Sequence, residues 1–117
     1  MPAPQLHTFF ATFTTDNLGQ INVQDHHLGG ILNIEAFSKV NVEIVQWPQA
    51  ATPLSMTVQC NMGKISGPTL AQTVGKFPLS IDGAIHTFDV VGPEFVLALT
   101  GGPPNTAVPL QAWIFIH

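Results

Sequence analysis

Apolar residues recur at every second position along much of this chain, and that period constrains the fold more than any other feature. Leu54, Met56, Val58 and Cys60 alternate with polar residues, and in residues 108–116 every even-numbered residue is aliphatic. Successive side chains of a β-strand point to opposite faces, whereas a surface helix needs apolar residues three or four positions apart. The period therefore predicts strands with one face in a core and the other face toward solvent or a polar interface.

The number and spacing of these segments predict a single all-β domain over residues 1–117. Strands are expected at 6–15, 20–24, 31–37, 40–47, 54–61, 84–91, 94–100 and 108–116, with Gly and Pro in the turns between them. This arrangement is typical of an antiparallel β-sandwich, and a jelly roll of about eight strands fits it first. An immunoglobulin-like sandwich and a small barrel remain as alternatives.

Two local signals add expectations between the strands. Residues 68–75 begin with Pro68 and end with Gly75, which predicts one helical turn. Asp82 and Gly83 predict a β-hairpin, because both central positions of a type I′ turn need positive φ.

Charge is scarce in this sequence. Charged residues make up 9% of the 117 residues, none is arginine, and 45% are hydrophobic, whereas an ordinary soluble domain carries roughly 25% charged residues. A small domain keeps much of its surface exposed, so part of that surface must be apolar. The segments 40–47 and 108–117 are apolar on both faces. We therefore expect a homo-oligomer.

The same composition excludes several partners. Three scattered lysines, Lys39, Lys64 and Lys76, do not form the basic cluster that grips nucleic acid. No apolar run reaches the roughly 20 residues of a membrane-spanning helix. Residues 1–5 lack the basic residues and apolar core of a secretory signal. We expect no nucleic-acid binding and no membrane insertion, and the localisation stays undetermined.

Trp47 and Trp113 are the strongest candidates for a functional surface. Each lies opposite the aliphatic stripe of its strand, Trp113 together with Gln111 and Phe115. An aromatic ring on a mixed face can anchor a protein interface or stack on a sugar. These residues are therefore candidates for an oligomer contact or for binding a neutral saccharide.

Catalytic signals are weak, and no cofactor motif is present. Asp25, His26 and His27 are the one cluster of potential metal ligands, and their spacing does not match a zinc site. Cys60 falls on the apolar face of its strand, which predicts a buried and unreactive thiol.

The acids Glu43, Asp89 and Glu94 have no pattern that places any two of them together. The sequence thus predicts a non-catalytic module that acts through self-assembly. Binding of a neutral ligand such as carbohydrate is the alternative, and a metal-dependent or hydrolytic enzyme comes third.

Overall fold

The computed structural model describes residues 3–22, 32–46, 55–63, 72–79 and 83–117, and these ranges contain nine β-strands. The strands are β1 (Gln5–Thr14), β2 (Ile21–Asn22), β3 (Leu32–Asn33), β4 (Lys39–Gln46), β5 (Thr57–Gly63), β6 (Gln72–Pro78), β7 (His86–Asp89), β8 (Glu94–Thr100) and β9 (Ala107–Ile116). In the same ranges there is no helix long and apolar enough to cross a bilayer.

The strands form two antiparallel sheets that pack into a sandwich. The first sheet has the order β1-β9-β4-β7, and the second has the order β2-β8-β5-β6 with β3 also beside β8. β2 and β3 pair with opposite ends of β8 while β5 pairs along its whole length, so β2 and β3 act as one interrupted strand. Counted in that way, the two sheets have the strand order of an eight-stranded jelly roll. The predicted sandwich is confirmed.

The core lies between the two sheets and follows the predicted period of two. In β4, Val40, Val42 and Ile44 are buried, and in β5 so are Val58 and Cys60. The even-numbered residues of β9, from Val108 to Ile116, are all buried as well. Each strand thus has an inner face that packs across the sandwich and an outer face of different composition.

One end of the sandwich is closed by hydrogen bonds between two loops. The Asp16 carboxylate accepts hydrogen bonds from the backbone N–H groups of Leu18 and Gln20, at 2.8 and 2.9 Å. The buried Thr15 hydroxyl donates to the carbonyl of Pro103 at 2.6 Å. The Asp16 bonds fix the turn after β1, and the Thr15 bond joins that turn to the loop before β9.

Gly19 has a φ of +75° in the same turn, and a Cβ there would overlap the carbonyl oxygen of Gly102. Both the backbone conformation and the close approach therefore require glycine at this position.

Aromatic contacts join the two sheets where β6 faces β7. The rings of Phe77 and His86 stack with centroids 3.7 Å apart. Phe88 lies so close to Gly75 that a Cβ at position 75 would overlap its ring. β6 therefore packs closely against β7 although the two strands are not hydrogen-bonded to each other.

Two local predictions are wrong. Gln72–Pro78 is strand β6, so the second half of the predicted helical turn at 68–75 is extended, because β6 pairs with β5. Gly83 has the expected positive φ of 74°, yet β6 and β7 on either side of it belong to different sheets and form no hairpin. Local turn preference specifies a change of direction and leaves the pairing partner open.

Candidate functional site

The outward-facing surface of the first sheet carries most of the large apolar side chains that the described residues expose. Its five members, named here the outer face, are between 37% and 67% exposed. They are Leu6 and Phe10 of β1, Trp113 and Phe115 of β9, and Ile85 just before β7.

The strand register brings these side chains together. β9 lies between β1 and β4, and its odd-numbered residues alternate outward from the buried even-numbered ones. The aligned residues across β1, β9 and β4 are Leu6–Phe115–Asn41, Thr8–Trp113–Glu43 and Phe10–Gln111–Val45. Directly opposite and diagonal neighbours on one face of a sheet are within side-chain reach. Leu6 lies opposite Phe115, and Phe10 lies diagonal to Trp113, so the apolar side chains of β1 and β9 form one cluster.

A shallow depression of about 180 Å³ lies at the centre of this surface. Its lining residues are Leu6, Asn41, Glu43, Ile85, Trp113 and Phe115. The Asn41 side chain also lies 3.3 Å from the His117 ring nitrogen, as Oδ1 to Nε2. Aromatic and aliphatic groups thus make up most of the lining, and Asn41 and Glu43 are its two polar members.

Charge is sparse on this side of the molecule. In the described part of the chain, Glu43 is the one charged residue lining the depression. Lys39 and Asp89 lie at the end of the sheet, where they form an exposed ion pair between β4 and β7. An apolar centre with charges at its margin is the distribution found in protein–protein interfaces.

The candidate residues from the sequence are partly brought together. Trp113 and Phe115 are exposed side by side on β9, and Gln111 lies half-buried on the same face. Trp47 lies outside the described residues. The sequence argument missed Leu6, Phe10 and Ile85, because it could not tell that β1 lies next to β9. The signal in β1 is the four-residue spacing of Leu6 and Phe10, which puts both on one face of a strand.

The metal-site prediction at Asp25, His26 and His27 also falls outside the described residues. Within the ranges that are described, no three His, Cys, Asp or Glu side chains lie close enough to hold a metal ion. Of the three acids considered as catalytic pairs, Asp89 is paired with Lys39, and Glu43 and Glu94 lie on strands of different sheets.

Cys60 is buried in β5, as its position on the apolar face predicts. Burial raises the pKa of the thiol from 9.0 to about 12, because the interior disfavours the charged thiolate. The thiolate is the nucleophilic form, so the side chain is unreactive in the folded protein.

Comparison with known proteins gives a fold and no family. No family model matches the sequence, and no curated protein matches it. Among solved structures, the fold is similar to that of Bacillus endospore appendages, described as a novel family of disulfide-linked pili. The TM-score is 0.55 at 11% identity, over 97% of this chain and 87% of that chain.

Two further structures share the fold. The infectious bursal disease virus VP2 subviral particle has a TM-score of 0.53 at 12% identity, over 97% of this chain and 32% of that chain. The SPBc2 prophage-derived protein YomS has a TM-score of 0.50 at 12% identity, over 98% of this chain and 96% of that chain. The structural neighbours thus include a pilus protein and a protein of a viral particle, and identities this low show the fold alone.

Proposed function

We propose that this chain is a structural module that assembles with copies of itself and buries its outer face in doing so. The observation that carries the proposal is the gathering of five large exposed apolar side chains on one side of one sheet. Single exposed apolar residues are ordinary on a protein surface, whereas a contiguous patch of them marks an interaction site. Aromatic side chains such as Trp113 and Phe115 supply most of the binding energy in many interfaces.

The area of this surface approaches that of a standard interface. Ten residues of strand extend about 33 Å, and four strands span about 15 to 19 Å, so the first sheet has a footprint of roughly 500 Å². A standard interface buries about 800 Å² on each partner. The outward surface of the first sheet therefore supplies a large share of such a contact.

The fold neighbours support the proposal by analogy. A pilus and a subviral particle are assembled objects, and their subunits share this fold. One fold serves many functions. The analogy therefore supports the argument from the exposed apolar side chains and does not replace it. Cys60 is the one cysteine of the sequence and is buried, so linkage between copies through disulfides, as in those pili, is not expected here.

The experiment is the absolute mass in solution of the wild type and of Trp113→Ala, measured by light scattering during size exclusion. We expect a multimer for the wild type and a smaller particle for the variant. A two-fold contact contains Trp113 from both copies, so the variant loses two indole rings at each contact. A central aromatic side chain contributes ~2 kcal/mol or more to the free energy of association. Because Trp113 is exposed, its removal should leave the fold intact.

Leu18→Ala is the control, since Leu18 is a large exposed apolar residue, 71% exposed against 48% for Trp113, but lies in the turn after β1, away from the outer face. It should leave the mass unchanged. A wild-type monomer at high protein concentration would contradict self-assembly. A multimer that Trp113→Ala does not alter would move the contact to another surface.

Binding of a neutral saccharide is the second candidate function. Trp113 is 48% exposed above the depression, and Asn41 and Glu43 offer hydrogen-bonding groups beside it. Sugar rings stack on exposed aromatic faces of this kind. Quenching of tryptophan fluorescence by a neutral oligosaccharide in the wild type, and its loss in Trp113→Phe, would favour this function over assembly.

A further inference from the structure

The open edge of β1 is the least protected strand edge in the described part of the chain. β1 is the outermost strand of the first sheet and pairs there only with β9. Its ten residues contain no Asp, Glu, Lys, Arg or Pro. A long, flat edge without charge or proline is a template for pairing with another strand, and monomeric proteins generally avoid one.

The other described edges carry the features that prevent such pairing. β7 has four residues and ends in the Lys39–Asp89 ion pair. β6 contains Lys76 and Pro78, and its register with β5 shifts beside Cys60. β2 and β3 have two residues each. Short length, lysine, proline and irregular pairing all block edge-to-edge association. Among the described edge strands, β1 is therefore the one without such a feature.

The hydrogen-bonding direction of β1 follows from the end of its ladder. The Thr15 N–H donates to the Thr106 carbonyl at 2.9 Å, so the odd-numbered residues of this strand direct their backbone groups toward β9. On the far side of β9, Lys39 and His117 exchange both backbone bonds, at 2.8 and 3.0 Å, which fits the same alternation. Backbone groups alternate in direction along a strand. The N–H and C=O groups that point to the open edge therefore belong to Leu6, Thr8, Phe10, Thr12 and Thr14.

We propose that β1 pairs with β1 of a second copy of this chain, antiparallel about a two-fold axis at Phe10. This inference rests on the proposed self-assembly and adds to it a second contact, at the edge of β1, with a stated register. The axis at Phe10 brings Thr8 opposite Thr12 of the second copy and Leu6 opposite Thr14. Each of the five open residues then donates one backbone hydrogen bond and accepts another. An axis at Phe9 would instead bring Pro4, which has no N–H, opposite Thr14 and leave the Thr14 carbonyl without a donor.

The pairing joins two four-stranded sheets into one sheet of eight strands. The outward-facing residues of the two β1 strands lie on the same side, because residues directly opposite each other in an antiparallel pair share a face. Two Phe10 side chains meet at the axis, and Thr side chains flank them. Aromatic pairs and threonine pairs are among the favourable cross-strand neighbours.

A proline variant tests the contact itself. Thr8→Pro removes an N–H that points to the open edge and leaves the ladder with β9 intact, since proline is tolerated on the outer side of an edge strand. We expect the mass of the particle to fall. Thr8→Val is the matched control, because it keeps the N–H and the shape of the side chain, and it should leave the mass unchanged.

Cross-linking tests the register without relying on the proline variant. In the proposed pairing, positions 8 and 12 of the two copies are a hydrogen-bonded pair with Cα atoms about 5.5 Å apart, which is within the span of a disulfide. The double variant Thr8→Cys with Thr12→Cys should therefore form covalent dimers under mild oxidation. Thr8→Cys alone should not, because equivalent residues lie about 13 Å apart along the strand direction. Cys60 does not interfere, since it is buried.

The outcomes separate this proposal from the proposed function. A wild-type multimer that keeps its mass in Thr8→Pro and does not cross-link would overturn the β1 contact and leave self-assembly standing. If the Thr8→Pro variant forms a smaller particle but the double cysteine variant does not cross-link, the β1 contact stands and the proposed register is wrong. A wild-type monomer at high concentration would overturn both proposals.

Discussion

Cys60 shows at the scale of one residue how burial couples a side chain to stability. The thiol lies in β5 among the core residues, and burial raises its pKa to about 12. The unfolded chain loses this proton near the ordinary pKa of 9.0, while the folded protein retains it. Folding above pH 9 therefore takes up a proton at Cys60. The contribution of the neutral thiol to the free energy of unfolding is fully present below pH 9.0, the pKa in the unfolded chain, and is lost as the pH rises above it.

We predict that the free energy of unfolding falls from about pH 9 toward pH 12, by at most about 1.4 kcal/mol per pH unit from this group. Urea unfolding at a series of pH values measures it. Cys60→Ala is the control: it should cost ~1 kcal/mol or more at neutral pH through lost packing, and it should flatten the alkaline decline. An equally steep decline in the alanine variant would place its origin elsewhere.

Gly75 and Phe88 show at the scale of elements how β6 and β7 fit together. The two strands belong to different sheets, and the ring of Phe88 occupies the space that a side chain at position 75 would need. Alanine normally suits a strand better than glycine does. Here steric overlap opposes that preference, and overlap in a packed region costs more than the preference gains.

Gly75→Ala should accordingly destabilise the protein by ~1 to 3 kcal/mol. In the background of Phe88→Leu, which removes the ring, the same substitution should cost clearly less. Urea unfolding of the wild type, both single variants and the double variant gives the coupling free energy. Strict additivity would mean that the ring is not what excludes a Cβ at position 75.

Elements differ in how far the sequence predicts them, and the difference has a physical cause. The alternation in residues 108–116 predicts β9 and both of its faces, because a period of two is a local property of the strand. The pairing of β7 with β4 joins residues distant in sequence, so the turn signal at Asp82–Gly83 does not predict it. The candidate site was predicted in part for the same reason: Trp113 and Phe115 follow from β9 alone, whereas Leu6, Phe10 and Ile85 join them only through strand order.

The whole molecule combines two proposed contacts that differ in kind. Pairing of β1 with β1 leaves the outer faces of both copies on the same side of one wide sheet. A second pair of copies covers both outer faces at once, so four copies form the smallest particle in which both contacts are made. Two perpendicular two-fold axes relate such copies, which is a common symmetry of soluble tetramers.

The scarcity of charge gives a prediction for the assembly as a whole. Seven acidic and three basic residues are spread over the chain, and Glu43 is the charged residue lining the depression within the outer face. Raising the salt concentration from about 0.1 to 1 M shortens the screening length from about 10 to 3 Å. We expect the dissociation constant of the assembly, measured by sedimentation velocity, to stay unchanged or to decrease. A tenfold weakening would show that ion pairs hold the copies together.

The pairing of β1 with β9 has a further consequence, for the time course of folding. These two strands are joined from Gln5–Ile116 to Thr14–Ala107, across nearly the whole sequence. Closing so long a loop is slow, and folds dominated by such distant pairs form in milliseconds to seconds. Until β9 arrives, β1 is an uncharged strand with both edges open. During that interval, pairing of β1 with β9 of the same chain competes with pairing of β1 with a strand of a neighbouring copy.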